Sequence, residues 1–160
     1  MAVKHVKTLA DITMPDKGTV DIEKGEDVLR IPIKVITQKL LEDITNRFRP
    51  PAAPVQWRRN PNTGDMEQFA NENDPAWKEE MRNYEASQTK SILLAGLDLE
   101  LPGETDDEKW GNLASRFSIG EMNALLAGIM ELSKIGEDVI EQAKKSLSRI
   151  PAEEKVEKKS

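Results

Sequence analysis

The sequence predicts an α+β fold that is mainly α-helical. Apolar and polar residues alternate near the start of the chain, which is typical of a β-hairpin. Capped segments with apolar residues at helical spacing fill the second half, and prolines separate the two regions. These observations predict an N-terminal β-hairpin and helix unit over 1–49, an extended proline-rich arm over 50–73, a bundle of about four helices over 74–150 and a disordered charged tail over 151–160.

The N-terminal unit combines a hairpin with a short helix. Segments 19–23 and 27–35 alternate in polarity, with the Lys24-Gly25 pair between them as a turn. Pro32 lacks an N–H group, so we expect the second strand to leave one edge unpaired at that position. Thr37 then caps a helix, whose predicted apolar stripe is Leu40, Leu41, Ile44 and Phe48.

An extended arm follows this helix. Pro50 and Pro51 end the helix and, together with Pro54, hold the backbone extended. Residues 60–65 have the composition of a turn and lie between two strand-like segments, which predicts a thin hairpin. An isolated two-stranded hairpin is marginal in water, so this one needs a partner surface. Its apolar side chains are Val55, Trp57, Met66 and Phe69.

The arm holds the candidate partner-binding residues, which are Pro50, Pro51, Pro54, Trp57, Arg58, Met66 and Phe69. Tryptophan and arginine are enriched in binding hot spots, and prolines lower the entropy lost on docking. We therefore expect the arm to contact another protein or a second copy of this chain, anchored by Trp57 and Phe69. The alternative is that Trp57 folds back onto the helices of its own chain, which would make the arm a strut.

Four capped segments predict the helices of the bundle. Asp74-Pro75 begins a long helix that we expect to end at Gly96 as its C′ residue. Capping-box spacings at Thr105 and Ser118 open the next two helices, and the last begins near residue 136. The stripes predicted to face the core are Trp77, Met81, Tyr84 and Ile92 in the first helix, Met122, Leu125, Leu126, Ile129 and Leu132 in the third, and Val139, Ile140, Ala143, Leu147 and Ile150 in the last, which Pro151 ends.

The single histidine, the absence of cysteine and the lack of a Walker or dinucleotide-binding pattern argue against an enzyme, and composition argues against several kinds of partner. The net charge is −6 and no segment is strongly basic, so the electrostatic footprint of a nucleic-acid binder is missing. The chain has no cysteine, which removes disulfides and thiolate zinc sites. No stretch approaches the roughly 20 apolar residues that cross a bilayer, and the start has no signal-peptide run. We expect a cytoplasmic protein with no cofactor, no metal and no membrane or nucleic-acid partner.

The remaining candidate sites have structural interpretations. His5 is the single histidine and lies near the terminus, where a solvated imidazole is expected. Residues 60–65 lack the acidic first position and the twelfth-position glutamate of a calcium loop. The acidic cluster 104–108 complements a helix N-terminus. Gly120 and Gly128, on one predicted helix, are interpreted as points of close packing.

The order of these segments resembles the tail assembly chaperones of long-tailed bacteriophages with non-contractile tails. A strand ending in IPIKVIT precedes the short helix QKLLEDITNRF and the break RPPAAP. NDPAW then opens a long helix, and FSIGEMNALLAG begins the two closing helices. The similarity spans about residues 25–148, and it rests on the order and spacing of caps and turns.

This resemblance implies assembly without catalysis. Members of the family bind the tape measure protein and recruit tail tube subunits in the host bacterial cytoplasm, and they are absent from the mature virion. A longer frameshifted form of the chaperone is common in the family, and Lys144-Lys145 is a place where an A-rich slippery stretch could be encoded. The main alternative is a structural virion protein for head–tail joining or tail completion, which usually forms a ring. Acidity, the charged tail and the lack of long β-structure favour the chaperone. A helical regulatory domain of the anti-repressor kind is a third alternative with no specific support.

Overall fold

The predicted fold class is confirmed by a computed structural model, which describes Val3, residues 5–12 and residues 17–150. The predicted tail lies outside the described residues. After a 3₁₀ turn at Leu9–Asp11, the elements are β1 Lys17–Lys24, β2 Asp27–Lys34, α1 Gln38–Asn46, β3 Val55–Arg59, β4 Met66–Ala70, α2 Pro75–Gly96, α3 Asp106–Ala114, α4 Ile119–Leu132 and α5 Glu137–Leu147. The chain therefore has a first hairpin with a short helix, a second hairpin, and four further helices.

The first hairpin pairs β1 and β2 antiparallel, from Lys17 opposite Lys34 to Lys24 opposite Asp27. The turn therefore lies at Gly25-Glu26, one residue later than predicted, and Gly25 supplies it with a φ of 61°. The inward-facing side chains of the hairpin bury against the helices, and the fully or nearly buried ones are Ile22, Ile31 and Ile33. The predicted alternation thus places one face of the sheet in the core.

The outer edge of β2 is covered, so the predicted unpaired edge at Pro32 is wrong. The Asp98 N–H donates to the Pro32 carbonyl oxygen at 3.0 Å, and Leu97 forms an antiparallel bridge with Ile33. The chain leaving α2 therefore covers this edge of the two-stranded sheet through one isolated bridge. Pro32 presents a carbonyl group there and needs no N–H of its own.

One buried cluster joins the first hairpin to the helices, so the two pack as one body. Its members are Ile22, Ile31, Ile33, Ile36, Leu93, Leu97, Trp110, Leu113, Met122, Leu125, Leu126, Ile129, Met130, Ile140, Ala143 and Leu147. Within α4, the predicted core positions Leu125, Leu126 and Ile129 are completely buried. Leu132 is half-buried and packs against the edge of the cluster, and Met130, at 2% exposure, is a further core residue of α4.

Two glycines allow other elements to approach α4. A Cβ on Gly128 would lie 2.3 Å from Val20 Cγ2, and a Cβ on Gly96 would lie 2.3 Å from Ile129 Cγ2. The predicted packing role of Gly128 is thus confirmed. The predicted C′ role of Gly96 is wrong, because this residue is the last of α2 and Leu97 is the C-cap. Gly120 is not a packing point, since only Ser118 Oγ, at 3.9 Å, would be near its Cβ.

The remaining differences concern which side chains are covered. The stripe predicted to face the core from α2 is only half-buried. The apolar side chains that α2 does bury are Ala86 and Leu93. Leu41 on α1 and Val139 on α5 are exposed rather than packed. The helices α1 and α5 also end before the prolines expected to stop them, at Asn46 and Leu147 respectively. All five helices nevertheless lie where caps and turns predict them.

Candidate functional site: the β3–β4 hairpin

The root of the proline-rich arm is fastened to the start of α2. The Trp77 indole Nε1 donates to the Pro51 carbonyl oxygen at 2.8 Å. The Asp74 carboxylate caps the helix by accepting from the Trp77 backbone N–H at 2.9 Å. Trp77 was predicted as a core residue, and its role as an anchor for the arm was missed. The signal available in the sequence was a tryptophan directly behind a helix cap, since a buried indole N–H usually needs an acceptor.

The hairpin itself follows the predicted pattern. Strands β3 and β4 pair antiparallel, from Val55 opposite Ala70 to Arg59 opposite Met66. Backbone bonds close the turn, with the Asn60 N–H donating to Asp65 at 2.8 Å, and Gly64 adopts a φ of 75°. At the other end, the Asn71 N–H donates to the Pro54 carbonyl at 2.8 Å. The two strands are therefore held in one register from root to tip.

The pairing separates the two predicted anchors. Trp57 lies opposite Gln68 while Phe69 lies opposite Gln56, and neighbouring residues of a strand point to opposite faces. Trp57 and Phe69 therefore lie on different faces of the hairpin and cannot form one anchor. The residues on the Trp57 side, which we call the apolar hairpin face, are Val55, Trp57 and Met66, with exposures of 64%, 62% and 55%.

The side chains on the face that carries Phe69 pair with one another. The Arg58 guanidinium lies 4.7 Å from the centroid of the Phe69 ring. Its Nε also donates to Glu67 Oε1 at 3.1 Å, and Asn71 Nδ2 donates to Gln56 Oε1 at 3.1 Å. Arg58 was predicted to meet a partner, but these contacts use it within the hairpin. A cation–π contact at an exposed site contributes about 0.5–1 kcal/mol, so the face is a modest stabiliser of the arm.

The apolar hairpin face does not fold back onto the chain. Strands β3 and β4 form a sheet of their own, and no residue of either strand belongs to the buried core. With 62% of its surface exposed, Trp57 does not pack on the helices, so the fold-back alternative is wrong. The structure thus brings Val55, Trp57 and Met66 together on a projecting hairpin and leaves them uncovered.

The other candidates have ordinary structural roles. His5 is exposed. In the cluster 104–108, the Thr105 hydroxyl accepts from the Glu108 N–H at 3.2 Å, and Asp107 forms an ion pair with Lys90. Across the part of the chain that the structure describes, no three histidine or carboxylate side chains converge as a metal site would require. None of the helices in that part combines the length and apolar character needed to cross a bilayer.

No family model, curated protein or solved structure matches this chain. The interpretation of the hairpin therefore depends on its own geometry and chemistry.

Proposed function

We propose that the chain is a non-enzymatic tail assembly chaperone of a long-tailed phage. It binds the tape measure protein through the apolar hairpin face and recruits tail tube subunits in the host cytoplasm. The observation that carries the proposal is the exposure of Val55, Trp57 and Met66 on a hairpin whose root is fastened to α2. The order of the sequence segments, which resembles that family, supplies the identity of the partner.

The chemistry of the face suits a long amphipathic helix. Such a helix exposes apolar side chains at i, i+3, i+4 and i+7, and it aggregates unless those side chains are covered. Trp57 offers a large rigid surface, and Met66 adapts its shape to an irregular partner. Arg59 lies on the same face, is exposed, and makes no ion pair with any described residue. It is therefore free to meet an acidic side chain of the partner.

The fastened root makes the face a better binding element. A mobile loop loses conformational entropy when it binds a partner, and that loss weakens binding. A preformed hairpin has already lost this entropy on folding. The bond from Trp77 to Pro51, together with the closure between Pro54 and Asn71, holds the hairpin in shape before the partner arrives. This rigidity favours a specific contact over general stickiness.

Co-expression with the tape measure protein of the same phage tests the proposal. The double variant W57S/M66S removes the two largest of the three side chains of the apolar hairpin face. A matched control, V28S/V139S, removes two side chains that are 60% and 52% exposed on other elements. Hot-spot tryptophans contribute about 2 kcal/mol or more, so we expect W57S/M66S to weaken binding by roughly 30-fold and the control to bind like wild type.

Two results would contradict the proposal. Equal co-purification of the tape measure protein by W57S/M66S and V28S/V139S, with both variants folded by circular dichroism, would remove the hairpin from the interface. Mass spectrometry of purified virions decides between the chaperone and the structural alternative. A chaperone is absent from the particle, whereas a head–tail joining or tail-completion protein is present in fixed multiples.

A further inference from the structure

A second site lies away from the hairpin. A pocket of about 480 Å³ opens between the end of β2, the C-cap of α1, the last turns of α2 and the start of α3. Leucines of the α2 end and the following link contribute to its wall, and its polar side chains include Lys34, Arg47, Ser91 and Lys109. Its volume is in the range of small-ligand sites.

Two lysines of this pocket lack the partners that comparable lysines have. In the part of the chain that the structure describes, five lysines are half-buried. Three of them pair with a carboxylate: Lys24 with Glu121, Lys90 with Asp107 and Lys144 with Glu141. The other two, Lys34 and Lys109, pair with no described carboxylate, and both line the pocket. Two partly buried lysines without a counter-charge leave two positive charges at the pocket, and an anion bound there would pair with them.

Ser91 adds a second, independent feature. It is 4% exposed and lines the same pocket, yet its hydroxyl makes no hydrogen bond to any described residue. The neighbouring buried hydroxyl, Thr89 Oγ1, donates to the Glu85 carbonyl at 3.0 Å in the usual way for a helix. Ser91 Oγ is not among the fully buried atoms without a partner, so this hydroxyl is open to the pocket and can donate to a ligand there.

The acidic side chains of the pocket do not cancel its charge. Asp106 lies 4.0 Å from Arg47 and balances that cation. Glu100 also lines the pocket and is exposed. Lys34 and Lys109 against Glu100 leave one positive charge in a chain whose net charge is −6. A local excess of positive charge inside an acidic protein favours an anionic ligand.

We propose that this pocket binds a hydrophilic anion through a phosphate or carboxylate group. The ammonium groups of Lys34 and Lys109 bind it by charge-assisted hydrogen bonds, and the Ser91 hydroxyl donates a third bond. The group is either a free anion or part of an acidic segment of a partner protein, since both present the same oxygens. The site is independent of the proposed chaperone function.

Thermal unfolding of the full chain with added inorganic phosphate tests the site, with chloride at equal ionic strength as the reference. A ligand that binds only the folded state raises the melting temperature as its concentration rises. We expect such a rise in wild type and in K78Q/K145Q, which loses the same charge from two exposed lysines. We expect no phosphate-specific rise in K34Q/K109Q, and at least a several-fold weaker response in S91A.

A peptide of five glutamates, used under the same conditions, separates the two sources of the anion. A rise with this peptide alone, lost in K34Q/K109Q, assigns the site to an acidic segment of a partner. If K34Q/K109Q does not fold by circular dichroism, the single variant K109Q replaces it. The proposal is overturned if wild type responds to neither probe, or if the lysine variants of the pocket and the exposed control respond equally.

Discussion

Lys24 Nζ lies 2.7 Å from Glu121 Oε1 and thereby joins the tip of the first hairpin to the N-terminus of α4. The same ammonium group donates to the Arg116 carbonyl at 2.6 Å and lies 5.1 Å from the centroid of the Phe117 ring. The Glu121 carboxylate also accepts from the Ser118 N–H at 2.8 Å, which completes a capping box. The Glu121 carboxylate thus caps α4 and also pairs with Lys24 at the end of β1.

This arrangement predicts a loss of stability in acid. The hydrogen bond from Lys24, and then that from the Ser118 N–H, holds the pKa of Glu121 below its ordinary value. Since the folded-state pKa is depressed, the stabilisation is present above the unfolded-state pKa of about 4.3 and is lost as pH falls through the folded pKa. We expect E121Q to be less stable than wild type at pH 7, and the difference to shrink below about pH 4.

Urea unfolding at pH 7 and at pH 3.5 measures this difference. E131Q, an exposed glutamate of the same helix with no ion pair to any described residue, is the matched control. A gap between E121Q and wild type that stays constant over this pH range would show that Glu121 does not act through its charge.

The centre of α4 is expected to be the most sensitive part of the core. Leu126 is completely buried, and replacing a buried leucine with alanine costs about 2–5 kcal/mol. Ile119 lies on the same helix at 50% exposure, so I119A should cost less than about 1 kcal/mol. Denaturant unfolding of L126A and I119A checks this. Similar stabilities of the two variants would mean that the Leu126 side of α4 is a surface and not the core.

Replacing glycines of α2 and α4 with alanine should lower the stability of the protein at packed positions and raise it at an exposed position. G96A and G128A would each place a Cβ 2.3 Å from a neighbouring side-chain carbon, so we expect a cost of about 1–3 kcal/mol from overpacking. G120A meets only Ser118 Oγ at 3.9 Å, an ordinary van der Waals contact, and should stabilise the helix by up to about 1 kcal/mol. Thermal unfolding of the three variants ranks them. G128A at or above wild-type stability would contradict the close approach of β1 to α4.

The anchor of the arm predicts local loosening without global unfolding. W77F keeps most of the ring but cannot donate to Pro51, which costs about 0.5–1.5 kcal/mol. We expect a small change in melting temperature and faster tryptic cleavage after Arg58 and Arg59, which lie in β3. Mass spectrometry of the fragments locates the cuts. Unchanged cleavage rates in W77F would show that the indole bond does not hold the arm.

Patterns within short segments of the sequence predicted most of the fold. Contacts between segments far apart in the sequence were not predicted. The caps at Thr37, Asp74 and Ser118 depend on residues three positions apart, so they are legible in the sequence. The packing role of Gly96 depends on Ile129, and the cover of Pro32 depends on Asp98. Such pairings arise only when the elements assemble, and no periodicity encodes them.

The candidate site shows the same division. Prolines and turn residues predicted the second hairpin, but the face of each aromatic depends on register. The closure of the turn between Asn60 and Asp65 sets that register and puts Trp57 and Phe69 on opposite sides. The pocket lysines, Lys34 and Lys109, are 75 positions apart and were not paired by any motif.

The closure between Pro54 and Asn71 makes the second hairpin a removable module. These two residues are hydrogen-bonded neighbours at 2.8 Å, so excising 55–70 leaves chain ends that a short turn can rejoin. None of the excised residues contributes to the buried core. This insert can therefore be exchanged, lengthened or deleted while the scaffold beneath it keeps its stability.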